Sequence, residues 1–241
     1  PLAFNAGMIG PVIAHFGSQE MKERFLPATA NLDIWWAQGF SEPNAGSDLA
    51  ALRTKAVRAE GGWTLTGQKV WTSAAHKADW GVCLARTDPE APKHKGITYF
   101  LVDMRSPGIV IRPLREITGD EMFNEVFFDD VFVPDEMVVG GVNDGWRLAR
   151  TTLASERVAM AHGSALGNPM EQMLRGLADS DLDTATAEQL GELLLAAQVG
   201  SLLDHRIAEL AVGGRDTGAE ASARKLMGVR YRQSLEDFRM D

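Results

Sequence analysis

The chain of 241 residues contains one cysteine, Cys83. A single thiol cannot close an internal disulfide or build a thiolate zinc site, so a reducing, cytoplasmic compartment is expected. Long hydrophobic runs are also missing. The richest apolar stretch, residues 190–203, is interrupted by Gly191, Glu192 and Gln198. It falls short of the ~18 apolar residues of a membrane span. Positive charge is scarce: 24 Lys and Arg face 33 Asp and Glu, a net charge of −9. A field of that sign repels polyanions, which argues against nucleic acid or anionic membrane as a partner. His15, His76, His94, His162 and His205 are scattered without metal-ligand spacing, so no metal is expected. Residues 140–145 do not spell GxGxxG, and neither a P-loop nor a GxSxG elbow occurs. The chain opens Pro1-Leu2-Ala3-Phe4 without an initiator Met or a basic leader, so it is expected to be a piece of something longer.

What is present is ordinary globular material, 45% hydrophobic and 24% charged. It is enough for one large domain or two small ones, at ~150 residues per domain. Three textures follow one another. Residues 1–34 are helical by spacing: Phe4, Met8, Ile9, Val12, Ile13 and Phe16 recur with the helical period. Gly17-Ser18 breaks this pattern, Ser18 is a candidate N-cap, and Pro27 is expected to stop the second helix. So short a pair cannot bury much core, and it reads as the end of a helical domain. Residues 35–140 carry short strand-like runs at 63–66, 81–85, 97–102 and 126–133, each bounded by Gly, Pro or Asp. They predict a compact antiparallel β domain closed by Pro134. Residues 141–241 are helical again, with helices expected near 145–178, 185–213 and 217–240, and Gly167 and Pro169 placed to kink or split the first. With no βαβ alternation, the fold class is α+β.

Three constellations could carry chemistry. Residues 38–48 read Gln38-Gly39-Phe40-Ser41-Glu42-Pro43-Asn44-Ala45-Gly46-Ser47-Asp48, a tight turn leaving a strand. It lines up backbone N–H groups with the hydroxyls of Ser41 and Ser47, a concavity suited to phosphate, carbonyl or heteroaromatic nitrogen. A plain turn capped by Ser and Asp has the same composition. Residues 67–73, Gly67-Gln68-Lys69-Val70-Trp71-Thr72-Ser73, place an indole between hydroxyls at a strand end. This can stack an aromatic ligand, or it can be a core Trp with solvent-facing neighbours. The third is Glu156. On a helical wheel it falls in the middle of the apolar face of Ala149, Leu153, Ala159 and Met160, one turn after Thr152. Glu is rarely buried unless it is paired or functional. Desolvation there would raise its pKa towards that of a general base, and pairing with Arg157 or Arg150 is the alternative. Arg150 and Arg157 share the adjoining stripe, either to hold an anion or as a solvated basic edge.

Taken in order, these pieces resemble the acyl-CoA dehydrogenase family. Residues 41–48 are similar to its [T/S]-E-P-x-A-G-S-D signature, and residues 67–73 to G-x-K-x-[W/F]-[I/T]-[T/S]. Phe16-Gly17-Ser18-Gln19-Glu20 through Pro27 resembles F-G-[T/S]-x-E-Q-K-x-x-x-L-P. Residues 127–134, Asn143-Asp144-Gly145-Trp146 and Leu153-Ala154-Ser155-Glu156-Arg157 continue the match along nearly the whole chain. The resemblance implies a helical N-terminal part, a β middle domain and a C-terminal helical bundle, with both helical parts incomplete here and FAD between the domains. It implies that Gln38, Phe40 and Ser41 contact the isoalloxazine, that Trp71 packs on it, and that Ser73 hydrogen-bonds near N5. Ser47 would face the CoA portion, and Arg157 would be a ligand-side or structural cation. The family base lies either beyond this chain or in the E-R pair, which is Glu156. The implied reaction is dehydrogenation of an acyl-CoA, fatty or steroid, to a trans-2-enoyl-CoA, with an electron-transfer flavoprotein-type acceptor. The R-x-x-F-G segment of many members is missing. Residues 218–226 resemble an actinobacterial branch that includes α2β2 heterotetramers as well as homotetramers and homodimers. An acyl-CoA oxidase-like enzyme and a non-catalytic partner subunit are the alternatives.

Overall fold

The computed structural model describes residues 5–161, 169–177, 181–215 and 217–240. A π-helical turn at Asn5–Ile9 leads into α1 (Gly10–Phe16) and α2 (Gln19–Ala30). The Ser18 hydroxyl accepts the Met21 N–H at 3.2 Å, so the expected cap opens α2. Pro27 does not stop this helix, which runs on to Ala30 with the proline inside it. Proline has a helical φ already, and near a helix end its missing N–H removes only one backbone bond.

Seven strands follow: β1 (Trp36–Gly39), β2 (Lys55–Ala59), β3 (Gly62–Ser73), β4 (Trp80–Arg86), β5 (Ile97–Asp103), β6 (Ile109–Leu114) and β7 (Phe123–Pro134). Their order in the sheet is β1-β4-β2-β3-β7-β6, with β5 on β4. The β2–β3 hairpin turns at Glu60-Gly61, where Gly61 takes a φ of 70° that glycine adopts without strain. Antiparallel pairing, as expected, joins β2 to β3, β3 to β7, β4 to β5 and β6 to β7. The exceptions both involve β4: β1 lies parallel to it from Trp36↔Trp80 to Gly39↔Cys83, and β2 meets it in parallel at Lys55↔Arg86. A parallel pair needs a long crossover, and the β2–β3 hairpin between β1 and β4 supplies it.

α1 and α2 close one side of the strands. Ile9, Val12, Ile13 and Phe25 share one buried core with Leu65, Val82, Leu84, Tyr99, Phe100 and Leu101. Phe25 meets Trp36 and Trp80 edge-on, at 5.4 and 4.8 Å between ring centroids. Cys83 is buried in the same core, and that burial pushes its thiol up to about 11. Cys83 is therefore expected to stay unreactive towards a disulfide reagent at about pH 8 and to label only after unfolding in guanidinium. Labelling of the native protein within minutes would contradict this packing.

The C-terminal helices are α3 (Gly145–Ala161), α4 (Pro169–Gly176), α5 (Thr184–Val212) and α6 (Gly218–Met240). Of the helix expected over 145–178, Gly145–Ala161 and Pro169–Gly176 are described as helical, and residues 162–168 lie outside the described residues. Gly167 lies outside the described residues. Asp183 caps α5 by accepting the N–H groups of Ala185 and Thr186 at 2.9 and 3.0 Å. Arg224 on α6 forks onto Asp204 on α5 at 2.8 Å through two nitrogens. Residues 1–153 form one compact unit and residues 154–241 another.

Candidate functional site

In the first unit the two glycine- and serine-rich segments lie side by side. Ser41 follows β1, and its carbonyl accepts the Val70 N–H of β3 at 2.9 Å. Glu42 and Ala45 exchange both backbone hydrogen bonds, at 3.1 and 3.0 Å, around Pro43-Asn44. That closes the tight turn expected from the sequence.

A buried ion pair holds this turn. The Glu42 carboxylate accepts the N–H groups of Arg53 and Thr54 at 2.6 and 2.9 Å and the Lys69 ammonium at 2.8 Å. Lys69 is fully buried on β3 and also donates to the Phe40 carbonyl at 3.2 Å. One ammonium thus fixes the end of β1 and the start of the turn together. Gly67 has its own reason in this frame: a Cβ there would stand 2.5–2.8 Å from Thr54, whose N–H binds Glu42. Sequence reasoning singled out neither Glu42 nor Lys69. The available signal was a carboxylate in one segment and an ammonium in the other, each among small or apolar neighbours.

Burial by itself would push the Glu42 carboxyl up, but the Lys69 ammonium and the Thr54 and Arg53 donors outweigh it and hold Glu42 below the usual carboxylate range. A depressed folded-state pKa contributes stability above the unfolded value of about 4.3, and that contribution is lost as pH falls through the lower folded value. The Glu42→Gln variant is therefore expected to lose less stability than wild type between about pH 5 and pH 3, measured by thermal unfolding. Parallel pH profiles for the two proteins would contradict the assignment.

Beyond Lys69, β3 slips its register against β7 between Lys69 and Thr72. Trp71 sits in that bulge with a φ of 58°, a left-handed conformation that bulky residues rarely adopt. The bulge turns the indole outward, leaving it 62% exposed, with its ring edge-on to Phe123 at 6.0 Å. Strain of this kind persists where surrounding structure over-determines it, and it clusters at functional sites. Ser73 follows, half-buried, and Ser41 is half-buried as well. Neither hydroxyl has a hydrogen-bond partner among the described residues. A cleft of about 800 Å³ starts at Ser73 and extends past Trp35, His76 and Met122.

The other expected residues are placed as follows. Gln38 is half-buried on β1. Phe40 turns its ring into the core, edge-on to Tyr99 at 5.9 Å, so its surface contribution is its backbone. Ser47 and Arg150 are exposed. On α3, Leu148, Ala149 and Thr152 are fully buried, and the Thr152 hydroxyl lies 3.3 Å from the Tyr99 hydroxyl. Glu156 continues this face by helical spacing one turn later, but it is half-buried rather than enclosed. It belongs to the second compact unit. The Arg157 side chain lies outside the described residues. Among those residues, no group of three or more His, Cys, Asp or Glu could hold a metal ion. No helix there is long and apolar enough to cross a membrane.

Residues 37–131, from within β1 to within β7, match the family model for the acyl-CoA dehydrogenase middle domain. The chain belongs to the acyl-CoA dehydrogenase family. It is 72% identical over 231 residues to acyl-CoA dehydrogenase FadE34 of Mycobacterium tuberculosis, covering 96% of this chain and 32% of that protein. It is 36% identical over 242 residues to acyl-CoA dehydrogenase IpdE1 of the same organism, covering 99% of this chain and 62% of the relative. The chain therefore spans about a third of one relative and under two thirds of the other. Among solved structures, a steroid acyl-CoA dehydrogenase described as the Tcur3481-Tcur3483 G363A variant superposes with a TM-score of 0.91 at 31% identity. That match covers 98% of this chain and 63% of the other. The α+β acyl-CoA dehydrogenase-like fold expected from the motifs is the fold found.

Proposed function

We propose that the protein to which this chain belongs catalyses flavin-dependent α,β-dehydrogenation of an acyl-CoA thioester to a trans-2-enoyl-CoA. The observation that carries this reading is the junction of β1 and β3. There the Ser41–Val70 bond and the Glu42–Lys69 pair bring an outward-turned Trp71 beside the hydroxyls of Ser41 and Ser73, which have no hydrogen-bond partner among the described residues. A flat apolar face next to hydrogen-bond donors fits a large heteroaromatic ring with polar edges, so the residues present fit FAD. Gln38, the Phe40 backbone, Ser41, Trp71 and Ser73 would hold it. When bound, FAD supplies a hydride acceptor for the substrate β-carbon.

The remaining chemistry falls to this chain's side chains. Glu156 takes the proton from the α-carbon, and its carboxylate becomes a carboxylic acid as the C=C bond forms. Ser47 receives the CoA portion, and Arg157 is a ligand-side or structural cation. The thioester oxygen needs a hydrogen-bond donor as it gains enolate character. A fatty or steroid acyl chain is the proposed substrate, and an electron-transfer flavoprotein-type acceptor and a cytoplasmic location complete the proposal. The paired name of the Tcur3481-Tcur3483 neighbour favours a heteromeric assembly such as α2β2 over a homotetramer or homodimer.

The test is to purify the protein, record its flavin spectrum and add acyl-CoAs of different bulk without oxygen. Bleaching of the flavin band by at least one of them is the expected result. A colourless protein that takes up no FAD would overturn the reading for this chain and leave it a partner subunit. Rapid recolouring in air with stoichiometric hydrogen peroxide would make it oxidase-like instead.

A further inference from the structure

Arg86, at the end of β4, is half-buried and lines no part of the Trp71 site. Its guanidinium donates through Nε to the Leu52 carbonyl at 3.2 Å and through Nη2 to the Ala50 carbonyl at 2.6 Å. It also reaches the Lys93 carbonyl at 3.3 Å from both terminal nitrogens. These acceptors belong to two different segments. Ala50 and Leu52 lie on the turn that follows Ser47, and Lys93 lies on the 87–96 loop. Thr87 N–H to the Gly96 carbonyl, at 3.0 Å, closes that loop on itself. Lys93 adds a second tie by gripping both oxygens of Asp48 at 2.9 Å. That pair is exposed and weak by itself.

The loop is anchored at its far side too. His94 packs edge-on against Trp146 in the first turn of α3, with ring centroids 4.7 Å apart. The Thr87 hydroxyl donates to the Asn143 side-chain carbonyl at 2.6 Å, and the Thr98 hydroxyl accepts the Asn143 N–H at 2.8 Å. The 87–96 loop therefore joins the Ser47 turn on one side to the start of α3 on the other. Arg86 is the side chain that binds backbone in both the turn and the loop.

We propose that Arg86 is a positioning residue for the acyl-CoA side of the site, setting the place of the Ser47 turn against the 87–96 loop. This rests on the reading that Ser47 faces the CoA portion. The planar guanidinium spreads its donors over Nε and two Nη atoms, so it reaches carbonyls on separate segments that one ammonium nitrogen cannot span together. Lysine keeps the charge but not the fork, so Arg86→Lys removes the latch without removing a cation.

The experiment uses the flavin-loaded protein. In Arg86→Lys, KM for the best acyl-CoA is expected to rise about tenfold or more, with kcat held within about twofold and the flavin spectrum unchanged. Amide hydrogen exchange in residues 47–53 and 88–95 is expected to accelerate about tenfold, with β3 still protected. A lower melting temperature alone, with KM and exchange in both segments unchanged, would overturn the proposal. Equal loss of kcat and kcat/KM would overturn it as well, since that pattern belongs to a group acting in the transition state. If wild type is bleached by no acyl-CoA, the dehydrogenase reading fails and takes the substrate assignment of the turn with it. An active wild type with an unaltered Arg86→Lys fails the latch alone.

Discussion

Glu156→Gln is expected to slow anaerobic bleaching of the flavin by acyl-CoA by about 10²- to 10⁴-fold, the usual contribution of a positioned general base. Glutamine keeps the length and shape of the side chain but offers an amide oxygen that does not take up a proton at neutral pH. Glu156 is half-buried on α3, so a polar side chain of the same size should not disturb the helix. FAD affinity is accordingly expected to stay within about twofold, because none of the residues assigned to hold the flavin is altered. Stopped-flow absorbance at the flavin band, with flavin titration alongside, reads both quantities. Bleaching at the wild-type rate in Glu156→Gln would sink the base assignment and place the base beyond this chain. Loss of flavin with loss of rate would make Glu156 structural.

Lys69→Met is the second large effect. It leaves the Glu42 carboxylate buried with its two backbone donors but without its counter-charge. Breaking one partner of a buried pair commonly destabilises by about 3–5 kcal/mol. For a chain of this size, that lowers the melting temperature by roughly 6–20 °C. The double variant Glu42→Gln/Lys69→Met should recover much of the loss, because no unpaired charge then remains. The two variants also separate stability from function. Lys69 Nζ holds the Phe40 carbonyl, so flavin affinity should stay reduced in the double variant even where folding is restored. A change under about 1 kcal/mol in Lys69→Met would show that the pair is not what fastens the turn.

The two motif segments show how far local pattern reaches. The Ser18 cap, the strand end at Pro134 and the helix end at Gly213 were legible, because each depends on backbone preferences of a few neighbouring residues. The order of the motifs was legible as well, and with it the family and the α+β architecture. Pro27 misled, since a breaker placed near a helix end loses little. Phe40 and Trp71 could not be sorted from sequence into core and surface. A strand alternates its faces, but a bulge shifts the count by one, and the bulge between Lys69 and Thr72 is set by pairing with β7 some fifty residues on.

By itself, then, the sequence determined the kind of protein: its element types, their order, and the segments that carry polar chemistry. The tertiary structure alone decided which of those residues meet. Glu42 and Lys69 are 27 positions apart and pair only because β1 runs parallel to β4 and lays the turn against β3. Arg86 reaches Ala50 and Leu52 across 36 and 34 positions because β2 meets β4 at Lys55↔Arg86. Local periodicity encodes which way a side chain faces. It carries no record of what stands opposite, because that follows from register and crossover, which form only when the whole sheet closes.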